Sequence, residues 1–204
     1  MRSATRATVA TFGTIAGIAG LEHGIGEILQ GNRAPGGLVI ESWPDSAFFE
    51  ILSGEPAMTV VPNLFITGVL AILVSLVFIA WAIIFAQREN GGLVLVLLSI
   101  ILLLVGGGFG PPLLGIILGI TATRINAPSK RRRMYLPAGA RRFLGRLWPW
   151  SLAASIIAWL LLMPGMSVLN YFFGVSDAGI VMGAILSAFG LLLLSIITGL
   201  ARDA

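Results

Sequence analysis

Apolar residues fall along this chain in long runs separated by short polar stretches, and most runs have the length of a membrane span. A helix over residues 8–29 is about 33 Å long, enough to cross a hydrocarbon core of about 30 Å. A second run, 64–85, carries no charge, and Trp81 marks its interfacial end. Shorter or comparable runs follow at 93–107, 111–123, 151–168 and 180–200. The pattern predicts an all-α, polytopic helical bundle, with residues 1–204 forming a single membrane domain.

The connecting stretches differ in character. Residues 31–63 form a polar loop with Pro35, Pro44, Pro56 and Pro62, and with Glu41, Asp45, Glu50 and Glu55 against Arg33 alone. Within it, 46–52 reads as a short helix capped by Asp45 or Ser46. Trp43, Phe48 and Phe49 would suit that helix to a membrane surface. Residues 124–150 hold Arg124, Lys130, Arg131, Arg132, Arg133, Arg141, Arg142 and Arg146, which places this loop in the cytoplasm by the positive-inside rule.

Residues 93–123 admit two readings. Two apolar arms are separated by GGGFGPP at 106–112, where glycine past one helix end and proline inside the next is stop-start chemistry. The chain either turns back there as a hairpin, giving six membrane segments, or continues as one kinked helix, giving five. With the hairpin, Arg2, Arg6, Arg88, the basic loop and Arg202 share one side, and Arg33 alone lies opposite. The kinked helix moves Arg2, Arg6 and Arg88 across. Charge therefore favours the hairpin, with both termini cytoplasmic and the plasma (inner) membrane as the setting.

Composition narrows the chemistry. Only 11% of residues are charged, against about 25% in a soluble domain. There is no cysteine and one histidine, which removes disulfides, thiolate nucleophiles, Cys-based metal sites and multi-histidine metal or haem sites. No metal site is read from the sequence, and no cofactor is named by it. The net charge of +4 lies mostly in one loop. Topology explains it without nucleic acid, and Lys130, Arg131, Arg132, Arg133, Arg141 and Arg142 are candidates to meet anionic lipid headgroups. No Walker A loop, HExxH or GxSxG motif occurs, so the reading leans away from an enzyme.

The candidate site lies on the first helix. Gly13, Gly17, Gly20 and Gly24 form a small-residue stripe that admits a close neighbour, and the Gly183, Ser187 and Gly190 face of the last span is a candidate to fill it. Glu22, His23 and Glu27 follow at the outer end. Ionisable groups at membrane depth face a bundle interior, a wet cavity or a partner charge; Glu27 alone could instead reach the headgroup region. With a hairpin, the GGGFGPP tip reaches a similar depth. The amino terminus of its returning arm would then offer free N–H groups and a positive dipole end. The expectation is one polar, ligand- or ion-binding pocket of Glu22, His23, Glu27, Gly108, Phe109, Gly110 and Pro111. Two function classes follow. One is a carrier or ion-coupled transporter working through that pocket. The other is a non-catalytic membrane subunit or scaffold that binds a larger protein partner or anionic lipid. A homo-oligomer or a larger membrane complex fits either class.

Overall fold

The computed structural model describes residues 3–125 and 137–204. Lys130, Arg131, Arg132 and Arg133 lie outside the described residues. Helices dominate: α1 (Ala4–Leu29), α2 (Leu64–Ala80), α3 (Gly91–Leu104), α4 (Gly110–Ala122), α5 (Ala138–Leu160), α6 (Met166–Phe173) and α7 (Ala178–Asp203). Two three-residue strands, β1 (Val39–Glu41) and β2 (Pro56–Met58), pair antiparallel between α1 and α2. Three helical stretches, Leu64–Phe85, Ala138–Phe173 and Ala178–Asp203, are long and apolar enough to cross a membrane. Little of each is buried, so Leu73, Leu76, Ile157, Leu186 and Leu193 point outward, as side chains solvated by lipid do. The backbone contacts divide the chain into two compact units, 9–123 and 1–8 with 124–204.

In the 9–123 unit, α1 and α2 run antiparallel at close range. Gly13 faces Ala82, Gly17 faces Ile79, Gly20 faces Ser75, and Gly24 faces the Gly68 carbonyl. At each position a Cβ would overlap the neighbour, so the small-residue stripe is used as its spacing predicts. Its partner is α2, however, and not the last helix: around Gly183 and Gly190 an added Cβ would meet nothing. The α1 stripe needs a neighbour that also yields space; α2 supplies Gly68, Ala71 and Ser75 in register, and the helical turn that continues it, Trp81–Phe85, supplies Ala82. Helices α3 and α4 also lie antiparallel, with Gly92 against Gly119 and Ser99 against Gly115. The chain thus turns back at 105–109. Trp81 Nε1 donates to the Gly91 carbonyl at 2.9 Å, tying the end of α2 to the start of α3 across the QRENGG turn.

The 31–63 stretch contains no helix over 46–52; one 3-10 turn spans Glu50–Leu52. Neither Asp45 nor Ser46 caps it, since the turn begins at Glu50 and Phe49 stands at its cap position. The aromatic side chains pack on each other instead, Trp43 stacked on Phe49 and Phe48 edge-on to it, both at 5.0 Å. The β1–β2 ladder extends through Ser42 N–H to Glu55 O at 3.0 Å and Trp43 N–H to Gly54 O at 2.9 Å. On its other side, the chain just after β2 pairs with the α3–α4 bend. Gly106 N–H donates to Met58 O at 2.9 Å, and Val60 N–H to Leu104 O at 3.0 Å. This satisfies bend backbone that no helix ladder serves, which non-helical backbone away from water requires.

In the other unit, α5 and α7 pack antiparallel. Ser151 and Thr198 hydroxyls meet at 2.7 Å, and Trp159 Nε1 donates to Ala188 O at 3.1 Å. Helix α5 starts twelve residues before the expected end of the basic loop, because AGARRFLGRLW is rich in Ala, Arg and Leu. Pro137 stands just before its first residue. Pro164 sits in one wide turn, Leu161–Gly165, which absorbs its missing N–H, and the helix runs on as α6. Gly174, at φ 68°, ends it. Asp177 then caps α7 by accepting from Ile180 N–H at 3.0 Å. The Asp203 carboxylate accepts from Ser3 Oγ, from Ala4 N–H at 2.9 Å and from Thr5 N–H at 2.8 Å. It thereby satisfies the first free N–H groups of α1 and opposes the positive end of that helix.

Candidate functional site

Three segments of the 9–123 unit meet at one polar cluster: the last two turns of α1, the 42–59 stretch, and the bend between α3 and α4. Residues 22, 23 and 27 come from α1. The ladder beside β1 and β2 brings Ser42 and Glu55. The bend contributes Gly106 and Gly108.

His23 is the centre. It is 1% exposed. Its Nδ1 lies 2.9 Å from Glu22 Oε2 and 3.1 Å from the Ala19 carbonyl. Both neighbours are acceptors, so Nδ1 carries a proton. On the opposite edge of the ring, Nε2 lies 3.6 Å from Glu55 Oε2, longer than a hydrogen bond. Gly108 sits directly against Nε2, where a Cβ would overlap the ring. Its φ of 76° also favours glycine.

Glu55 reaches the ring because Ser53, Gly54 and Glu55 all take positive φ, at 55°, 68° and 54°. For a serine and a glutamate that is a sparsely populated conformation, held only when the surroundings over-determine it. Burial pushes the Glu55 carboxyl up to about 7, with His23 pulling down and Glu22 adding to the rise. An ionised carboxylate at this place therefore lacks sufficient positive charge nearby.

Glu27 is enclosed by protein, at 0% exposed. The bend and the 31–63 stretch enclose it. Ser42 Oγ approaches its Oε1 at 3.5 Å, and its Oε2 has no hydrogen-bond partner. Gly106, at φ 92°, lies so close that a Cβ would overlap both carboxylate oxygens. Glu22 is more open, with its side chain 28% exposed, although its Oε1 is buried and unpartnered. Among the described residues, the ion pairs of these carboxylates are with His23 alone.

The structure thus brings Glu22, His23 and Glu27 together with the bend, at Gly106 and Gly108. Phe109 is 42% exposed, an added Cβ at Gly110 would touch nothing, and Pro111 is buried in the first turn of α4. The expected row of free N–H groups at the start of α4 is cut short. Pro111 and Pro112 have no N–H, and Leu113 N–H already donates to Phe109 O at 3.3 Å. An anion would find few donors there, whereas the surplus of carboxylates suits a cation. Sequence reading did not place Ser42 or Glu55 at the site. Glu55 stands in an SGEP turn that resembles any acidic loop, and only its positive φ turns it inward.

In the other unit, Arg141 and Arg142 join Gly145, Arg146, Ala201 and Arg202 around a shallow hollow of about 420 Å³. Arg202 also lies over the Trp148 ring at 5.0 Å.

Compared with models of known families, with curated proteins and with solved structures, the chain finds no match. Its function is therefore read from the site itself.

Proposed function

We propose that this chain is a small ion-coupled membrane carrier whose coupling site is the acid–imidazole cluster at the α3–α4 bend. The observation that carries the reading is the complete burial of His23 and Glu27 against two positive-φ glycines of a helix break. Buried ionisable groups at membrane depth cost several kcal/mol and are kept for function. Broken helices at such groups are how carriers build ion sites. Glu22, the most open member, is the entry. The cation then passes to His23, Glu55 and Glu27. The bend is the moving part, since it is joined to the 58–60 chain by few backbone bonds and glycines can absorb its φ and ψ changes.

On this reading the chain has six membrane segments, with α3 and α4 as a re-entrant hairpin, the 31–63 stretch outside, and both ends in the cytoplasm of a plasma membrane. The excess of Lys and Arg in 124–150 supports that orientation. The decisive test is flux in proteoliposomes under an imposed ion gradient. Glu22→Gln and Glu27→Gln should each abolish coupled flux while the protein remains monodisperse. Unchanged flux in Glu22→Gln ends the coupling role.

A second reading, a membrane subunit or scaffold, is favoured by one observation. Among the described residues, nothing lies against the Gly183 and Gly190 face of α7, leaving a helix surface that admits close approach by another protein. The arginine hollow is then a seat for an anionic lipid headgroup.

A further inference from the structure

The geometry points to Glu22, His23 and Glu55 as ligands of one divalent transition-metal ion of the zinc class. This rests on the cluster being the carrier's coupling site and names the ion it takes. Each of the three side chains brings a ligand atom within 4.8 Å of the other two.

The acidic character of the cluster alone would not identify a metal. The imidazole does. Carboxylate oxygens lie at both ring nitrogens, Glu22 Oε2 at 2.9 Å from Nδ1 and Glu55 Oε2 at 3.6 Å from Nε2. A neutral imidazole lone pair beside a carboxylate repels it unless a proton or a metal ion lies between them. A nitrogen and an oxygen bound to one tetrahedral zinc ion stand roughly 3.4 Å apart, close to the separation seen. Glu22 Oε1, buried and without a partner, is the remaining donor. Gly108 keeps the space before Nε2 free of any side chain.

The donor set also selects the ion. Calcium and magnesium take oxygen ligands, whereas an imidazole with carboxylates suits zinc and its first-row neighbours. Three protein ligands leave a coordination position open, which suits an ion that must be released. Glu27 stays outside the ligand set and adds negative charge beside it.

The chain offers an unusually clean test, because it has one histidine and no cysteine. The full chain, carrying a tag without histidine and stripped by chelation in mild detergent, is titrated with Zn²⁺ alone. One ion per chain should bind, and Mg²⁺ or Ca²⁺ at equal concentration should not displace it. His23→Gln and Glu55→Gln should each weaken binding by more than about 100-fold, the upper end of what losing a mere supporting partner costs. Glu50→Gln, on the exposed loop, should bind as the parent does. With Cu²⁺ as probe, the paramagnetic resonance spectrum should show coupling to a single imidazole nitrogen, which only His23 can supply. If a variant aggregates, that signature in the parent protein decides. A parent that binds no Zn²⁺, or binds it equally in both variants, overturns the site. Failure of the metal site with intact proton-driven flux leaves the carrier standing. Stoichiometric Zn²⁺ binding without any flux does the reverse.

Discussion

Replacing Gly106 by alanine tests the contact on which the site depends. The substitution has two separate costs. Alanine at φ 92° is disfavoured by about 1–2 kcal/mol, because its Cβ crowds the following carbonyl. The Cβ would also overlap both oxygens of Glu27, and a fully enclosed carboxylate cannot swing aside, so overpacking adds about 1–3 kcal/mol. The expected loss is about 2–5 kcal/mol, or roughly 4–20 °C in melting temperature for a chain of this size. Thermal melts followed by size-exclusion chromatography in detergent measure it. Gly110→Ala is the matched control. It lies four residues on, at the start of α4, where an added Cβ meets nothing, and it should be neutral or up to about 1 kcal/mol stabilising. The double variant Gly106→Ala with Glu27→Ala separates the two costs. Removing the carboxylate should recover the packing part, a coupling of about 1–3 kcal/mol, and leave the backbone part. If Gly106→Ala melts with Gly110→Ala, or if the double variant shows no coupling, the bend does not press on Glu27.

Other outcomes follow from the same contacts. Asp203→Ala removes the acceptor for Ser3, Ala4 and Thr5 and should destabilise by about 1–2 kcal/mol, as lost caps do; amide exchange at Ala4 and Thr5 should rise with it. Gly68→Val drives a branched side chain into the Gly24 carbonyl and Ile28 of α1 and should prevent recovery of monodisperse protein, whereas Gly183→Val on the open face of α7 should not. Because the chain has no cysteine, an impermeant maleimide added to intact cells should label a single cysteine placed at Arg33 and leave one placed at Arg142 unlabelled until the cells are permeabilised. Labelling of both from one side refutes the proposed orientation.

Much of the arrangement could be read from residue patterns. Glycines at 13, 17, 20 and 24 announce a close helix neighbour because only the backbone remains on that face. GGGFGPP announces a break because neither glycine nor proline sustains a helix. The identity of the neighbour was not legible in the same way. Small residues on α2 and on α7 look alike in one dimension, and only packing reveals that α2 takes the stripe while α7 leaves its own empty. Glu55 and Ser42 escaped for another reason. They reach the cluster through a two-stranded ladder only three residues long and a run of positive φ angles, and neither leaves a periodic signature. The helical start at Ala138 was masked by its arginines, which mark a cytoplasmic stretch but are also good helix formers.

The cap on α1 has a consequence for biosynthesis. Ser3 and the carboxylate that it meets are 200 residues apart. A ribosome adding about 5–20 residues per second needs roughly 10–40 s to cover that distance. For that interval the first helix is made, and its Ala4 and Thr5 N–H groups lack their Asp203 acceptor. The contact can close only after α7 has been translated, so it serves as a late latch whose formation reports that the first helix and the distant residue 203 have come together.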